Sequence, residues 1–251
     1  MSLPVLVLAG SRDGENDVLA KLGRVSHKAL LPVAGQPMLA RVLDTIARTP
    51  GLGPVTISIE NPDCIRDLAG NATILRSAPS PSESVAEAID RIGTPCLVTT
   101  ADHALLRPEW IEEFLAKAQG CDLAAGVALR ATVERDVPGT KRTYIHLSDM
   151  SFSGCNLFLI GTPKGRNVIE LWKRLQQNRK QPLRMALTLG LGTLLRAVTR
   201  TLDSNALYRR IQKLTGANVR LVTLSDGRAA VDVDKPSDLT LAEQILAQTT
   251  P

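Results

Sequence analysis

Along the first hundred residues, short apolar and β-branched runs alternate with longer stretches in which apolar positions recur at helical spacing. This order predicts strands that cross over through helices into a parallel sheet. Residues 3–9 read as a first strand that stops at a glycine. PMLARVLDTIAR (37–48) has helical spacing, with Pro37 suited to a first turn and PGLGP closing the helix. VTISIE (55–60) and 72–76 read as the next strands, and a Pro/Ser loop then leads into the helix SESVAEAIDRIG (82–93). Its serines can cap that helix, and Glu83 and Glu87 suit its positive N-terminal end. PCLVTTAD (95–102) is apolar on both faces until Thr99, Thr100 and Asp102, which predicts a central strand whose carboxyl end opens into a crevice.

The second half is less regular. Strands are expected near 122–133, 142–148 and 155–160, and helices near 165–178, 183–199 and 203–214. A final strand pair, VRLVTL and AAVDV, precedes a helix over 236–248. No internal repeat or Gly/Ser/Pro-rich linker divides the chain, so residues 1–251 are expected to form a single α/β domain. Its mostly parallel central sheet would be flanked by helices and Rossmann-like in the N-terminal half, with a helical insertion at about 163–216.

Composition narrows the function. At 44% hydrophobic and 22% charged, 251 residues suffice for a sizeable core. The 30 basic and 25 acidic residues, net +5, favour anionic small molecules as partners. Seven aromatics and no recognised binding module argue against nucleic acid. Cys64, Cys96, Cys121 and Cys155 form no CxxC pair, which argues against a zinc cluster or disulfide framework and for reduced thiols in the cytoplasm. The apolar start lacks a basic n-region and a small-residue cleavage site, so it reads as a strand rather than a signal peptide.

The first strand ends in Ala9-Gly10-Ser11, small residues that leave backbone N–H groups open to an anionic ligand. Arg12 adds a planar cationic fork, and Lys28, in SHKALLPVAGQPML, adds a mobile cation. The pattern is neither a Walker A loop nor a GxGxxG fingerprint. His27, His103 and His146 share no helix face that would suggest a metal site, and His103 reads as a polar edge residue. Cys155 and Asn156 are expected between two strands, with an acceptor-side role for Asn156 as an alternative.

The order L-A-G-x-R, then K-x-L-L-x-x-x-G-x-P-M-L, then a strand ending in Asp102, then D-V-D before a Pro-initiated helix resembles the MobA-like nucleotidyltransferases of GT-A-type fold. The resemblance covers about residues 3–130 and 226–246. It implies an NTP on Ala9, Gly10, Ser11 and Arg12, with Lys28 on the phosphates and Arg12, Lys28 and Asp102 as the catalytic set. It also implies Mg²⁺ on Asp102 and Asp234, with Asp232 as the fallback, and the base read near Ser84. DGENDVLAKLGRVSH separates Arg12 from Lys28 by more residues than the shorter family loops, and Ser11 stands where the family has a second glycine.

The implied reaction transfers NMP from an NTP to a phosphorylated small-molecule acceptor and releases pyrophosphate. A phosphate monoester with a second pKa of about 6 is already mostly dianionic at neutral pH, so cationic cover matters more than a base. Two alternatives stand beside it. One is a GT-A glycosyltransferase using Asp232-Val233-Asp234 as a D-x-D site; the other is a non-catalytic nucleotide-binding or membrane-associated protein. Asp234 also reads as an N-cap ahead of Pro236. MALTLGLGTLLRAVTRTL (185–202) is expected to pack on the sheet or at a homodimer interface, with membrane-surface contact as the weaker alternative.

Overall fold

The computed structural model describes residues 2–11, 13–178 and 188–249. Its main sheet contains β1 (Leu3–Leu8), β4 (Leu52–Ile59), β5 (Thr73–Arg76), β6 (Cys96–Thr100), β7 (Leu123–Leu129), β8 (Ile145–His146), β9 (Ser151–Ile160) and β10 (Val219–Thr223). The small pair β2 (Pro32–Val33) and β3 (Gln36–Pro37) lies apart. The main order is β10-β7-β9-β6-β1-β4-β5, with β8 added on β9. β1 pairs in parallel with both β4 and β6, β5 with β4, and β10 with β7; β9 runs antiparallel between β6 and β7.

The sequence pattern dictates this arrangement. Val5, Leu6, Val7, Cys96, Leu97 and Val98 are almost fully buried, as expected for strands covered on both faces. Helices Met38–Arg48, Pro81–Ile92, Pro108–Lys117 and Gly165–Gln177 bury their apolar stripes around the sheet. The chain leaves β1 for β4 and β5, then returns across to β6 on the other side of β1. The carboxyl ends of β1 and β6 therefore face a topological switch point, where such sheets open a crevice.

Several local expectations are overturned. AAVDV is not a strand: Gly227–Ala230 form a 3-10 turn, and Val231 to Asp234 continue as an unpaired extended segment. Its alternation is nevertheless real, since Val231 and Val233 are fully buried while the Asp232 and Asp234 carboxylates meet Arg142 and Lys28. The stretch 122–133 is strand only to Leu129, then helix from Arg130 to Asp136. Of 142–148, only Ile145 and His146 pair. β9 begins at Ser151 rather than 155, so Cys155 and Asn156 lie inside it. His103 is buried, not at an edge: its ring stacks on Trp110 at 5.9 Å, and burial pushes its pKa down to about 4.

Helix 183–199 was expected; residues 183–187 of that reading lie outside the described residues, and the described helix is Leu191–Val198. It is not packed on the sheet, for none of its residues is buried.

Candidate active site at the switch point

The first turn after β1 is pinned on both sides. The Ala9 amide donates to the Ser58 carbonyl and the Ala101 amide to the Leu8 carbonyl, so the exits of β1, β4 and β6 move as one. Gly10 follows, exposed. A Cβ placed on it would meet Glu60 Oε2 and Ser77 Oγ at 3.4 Å. Small residues here keep the floor of the crevice open. The Ser11 amide is aimed into the same space and donates to both oxygens of the Glu60 carboxylate, at 3.2 and 3.1 Å. An anion thus already sits on this amide, which is the property a phosphate cradle requires. Arg12 lies outside the described residues.

The insert that lengthens this loop has its own local logic. Asp17 caps helix Val18–Gly23 by accepting the Leu19 and Ala20 amides, and its second oxygen accepts the Ser11 hydroxyl at 3.2 Å. The helix stops at Arg24 in the left-handed region, and a 3-10 turn, Lys28–Leu30, starts behind His27. His27 Nδ1 accepts the Ala29 amide, so its ring proton is on Nε2, which donates to Glu60 Oε1 at 2.9 Å. The insert therefore folds back on the cradle and delivers Lys28 into the crevice.

There the Lys28 ammonium lies 3.3 Å from Asp102 Oδ2 and 2.7 Å from Asp234 Oδ1. Burial lowers the proton affinity of the Lys28 amine, but the two carboxylates more than offset it, so its pKa is raised and it stays cationic. Asp102 is held from below by the Thr100 hydroxyl, which donates to Oδ1 at 2.5 Å. Its backbone carbonyl accepts the Val233 amide, which ties the extended segment 231–234 to the end of β6 and sets Asp234 opposite Asp102. Asp234 does not cap the following helix with its side chain. That carboxylate is on Lys28, and the backbone amide of Asp234 donates to Asp238 Oδ2 instead.

Three further residues complete the cluster without having been singled out from the sequence for these roles. Arg142, almost fully buried, donates to Asp232 Oδ1 at 2.5 Å and to Asp238 Oδ1 at 3.0 Å. Asn156 takes a left-handed backbone conformation (φ +48°) where β9 bulges against β7. The bulge aims its amide at Asp102 Oδ1 (3.5 Å) and Asp232 Oδ2 (3.3 Å). The third is Glu60. Asp232 has its pKa pushed up to about 6 by burial, then by the charges of Asp102 and Asp234, with Arg142 opposing. Inward-facing polar positions on otherwise apolar strands were the signal for Asn156; Arg142 and Glu60 had none beyond charge.

Gly10 is the hinge between two hollows. One, lined with Lys28, Ala29, Ala101 and Asp102, holds the charges. The other is walled by Ser11, Ser58, Ser77, Ala78, Ser80 and Ser84. Ser84 is buried, its hydroxyl accepting the Ala78 amide at 2.9 Å, so it shapes the wall of that pocket through the loop. Ala9 is buried beneath the turn. The structure thus brings Gly10, Ser11, Lys28, Asp102 and Asp234 to one crevice, with Ser84 behind its serine-rich arm.

A parallel sheet with one reversed strand, opening at its switch point onto backbone amides, a half-buried ammonium and paired carboxylates, defines a doubly wound α/β protein with a polar crevice at the place where such folds take their ligands. The chain belongs to the MobA-like NTP transferase domain family, whose match spans residues 5–213. It is 27% identical over 242 residues to a 2-C-methyl-D-erythritol 4-phosphate cytidylyltransferase from Synechococcus sp. (strain JA-3-3Ab), covering 91% of this chain and 92% of that one. A solved hypothetical transferase from Thermus thermophilus superposes with a TM-score of 0.81 at 30% identity, over 95% of this chain and 100% of that one. The fold is also shared with a CMP:2-keto-3-deoxy-manno-octonic acid synthetase solved with CTP (TM-score 0.64, 14% identity, 99% of this chain and 100% of that one).

Proposed function

We propose that this chain transfers a nucleoside monophosphate from an NTP to a phosphorylated small-molecule acceptor. An acceptor phosphate oxygen attacks the α-phosphorus, the bond from that phosphorus to the α,β-bridging oxygen breaks, and pyrophosphate leaves with the bond electrons. The observation that carries this reading is the Lys28 ammonium held between Asp102 and Asp234 beside the Gly10–Ser11 amides. The acceptor brings its own nucleophilic oxygen, so the protein needs to align two anions and cover their charge. The Gly10–Ser11 turn, once Glu60 gives way, offers amide hydrogens to phosphate; Lys28, anchored on two acids, offers a positive charge beside it. The serine-rich pocket suits a base held through backbone and hydroxyl contacts.

Asp102 and Asp234 also fit a divalent cation. They are hard oxygen donors already converged on one positive charge, and Mg²⁺ is commonly held by one or two carboxylates plus substrate phosphates. Among the described residues no group of three or more His, Cys, Asp or Glu is arranged for a metal. Bound there, Mg²⁺ would supply charge neutralisation on the phosphates. The D-x-D reading is less well supported, since Asp232 is engaged by Arg142 and has a raised pKa.

Two of the proteins similar to this chain are named for CTP or cytidylyl chemistry, so CTP is the first nucleotide to test. With CTP, Mg²⁺ and a panel of phosphorylated polyols and sugars, pyrophosphate release should depend on the acceptor and vanish with EDTA. Asp102→Ala should lower the rate about a hundredfold or more with an unchanged circular dichroism spectrum. Release by Asp102→Ala at the wild-type rate would overturn the assignment.

A further inference from the structure

We propose that helix Leu191–Val198 docks this protein on an anionic lipid surface. Leu191, Leu195 and Val198 are 74%, 61% and 74% exposed, and they recur at i, i+4 and i+7, a single stripe of an α-helix. No residue of the helix is buried, so its apolar content does nothing for the core. The helix is nevertheless held in place: the Arg196 guanidinium bonds the Thr201 carbonyl and Asp203, and Arg210 bonds the Leu189 carbonyl. A presented stripe, rather than a loose end, faces outward.

Charge selects the occupant. The described residues of 171–215 contain seven Lys or Arg and one acidic residue, Asp203; the whole chain carries only +5. Of these, Arg196 lies in the helix, Arg200 stands two residues beyond it, and Arg210 is held against the Leu189 carbonyl just before it, so guanidinium groups stand beside the stripe. A twofold dimer through this face would set the same basic surface against itself, an arrangement that like charges oppose. Nucleic acid would match the charge and leave three exposed aliphatic side chains without a partner. An interface of anionic headgroups over acyl chains satisfies both, with the aliphatics entering the acyl boundary and the guanidinium groups remaining among the headgroups. Among the described residues no helix is long and apolar enough to cross a membrane, so the contact is one of lying on the surface.

The test is co-sedimentation of the full chain with phosphatidylcholine vesicles, with and without phosphatidylglycerol as one third of the lipid. The protein should sediment with the phosphatidylglycerol vesicles, less so as salt is raised, and remain in solution with phosphatidylcholine alone. The variant L191S/L195S/V198S, altered only at exposed positions, should bind those vesicles about tenfold or more weakly while its melting temperature and its response to CTP stay unchanged. Failure of the wild type to sediment with anionic vesicles would overturn the proposal, as would equal binding by the triple variant. A wild-type dimer that binds no vesicles and that the variant converts to monomer would assign the face to a second copy, and would overturn it too.

Discussion

Lys28 and Arg142 divide the acids of the crevice between them. Lys28 faces Asp102 and Asp234 on the open side, and Arg142 holds Asp232 and Asp238 beneath. Because Arg142 and Asp238 are each only 6% exposed, Arg142→Met leaves a buried carboxylate without its partner. A loss of about 3 kcal/mol is expected, read by urea unfolding; a loss under about 1 kcal/mol would mean the pair is not buried in solution. Lys28→Ala should raise KM for the nucleotide about tenfold or more while leaving stability little changed, since Asp234 is exposed and water can replace its partner. Asp232 adds a pH signature. Its carboxyl holds a proton more tightly in the folded chain, pKa about 6, than in the unfolded one, so its ionisation weakens the fold as pH rises from about 4 to about 6. The stability of wild type minus that of Asp232→Asn should therefore fall across that window, by on the order of 2 kcal/mol, and be flat above it. A difference that does not change with pH would refute the raised pKa.

At the level of elements, the crossover half was legible and the return half was not. β1, β5, β6 and helices Met38–Arg48 and Pro81–Ile92 follow from local periodicity and caps, because each buries a stripe or both faces against neighbours close in sequence. The segment 229–233 shows where that reasoning fails: alternation reports which side chains face inward, not whether the backbone has a ladder partner. Val231 and Val233 fill the core beneath the crevice while the Gly227–Ala230 turn packs on helix Arg130–Asp136, a contact between residues almost a hundred positions apart. The helix in turn was hidden because Arg130 to Asp136 carry only one buried side chain, Val133. The same distance in sequence concealed Arg142, Glu60 and the ion pairs they make, whereas Lys28, Asp102 and Asp234 stood out because their motifs are local. The packing of the turn can be tested at Gly227, where a Cβ would fall 2.5 Å from the Thr132 carbonyl oxygen and 2.6 Å from the Val133 Cα. Both contacts are backbone and cannot yield cheaply, so Gly227→Ala should destabilise by about 2 kcal/mol or more. Because the turn leads directly into Asp232 and Asp234, residual folded protein should also bind nucleotide more weakly; a neutral substitution would mean that turn and helix are not in contact.

Across the whole molecule, the crevice gathers side chains from parts of the chain that lie far apart in sequence. Gly10 and Ser11 follow β1, Glu60 follows β4, Asp102 follows β6, Asn156 sits in β9, and Asp234 precedes the last helix. A nucleotide with Mg²⁺ bound in the crevice would contact β1, β6 and the C-terminal segment at once, and its binding free energy would be added to the stability of the native state alone. At a nucleotide concentration one hundred times its dissociation constant this amounts to about 2.7 kcal/mol, which for a chain of this length corresponds to roughly 5–10 °C in melting temperature. Calorimetry of the wild type with CTP and Mg²⁺ should show that rise, and EDTA should remove most of it, because two carboxylates facing a triphosphate without a divalent ion repel it. Asp102→Ala should behave oppositely, losing the dependence on Mg²⁺ while keeping a smaller shift from Lys28 and the Ser11 amide. If wild type and Asp102→Ala gained equally from CTP with and without Mg²⁺, the nucleotide would be bound away from the switch point, and the convergence of these distant segments would have to serve stability instead.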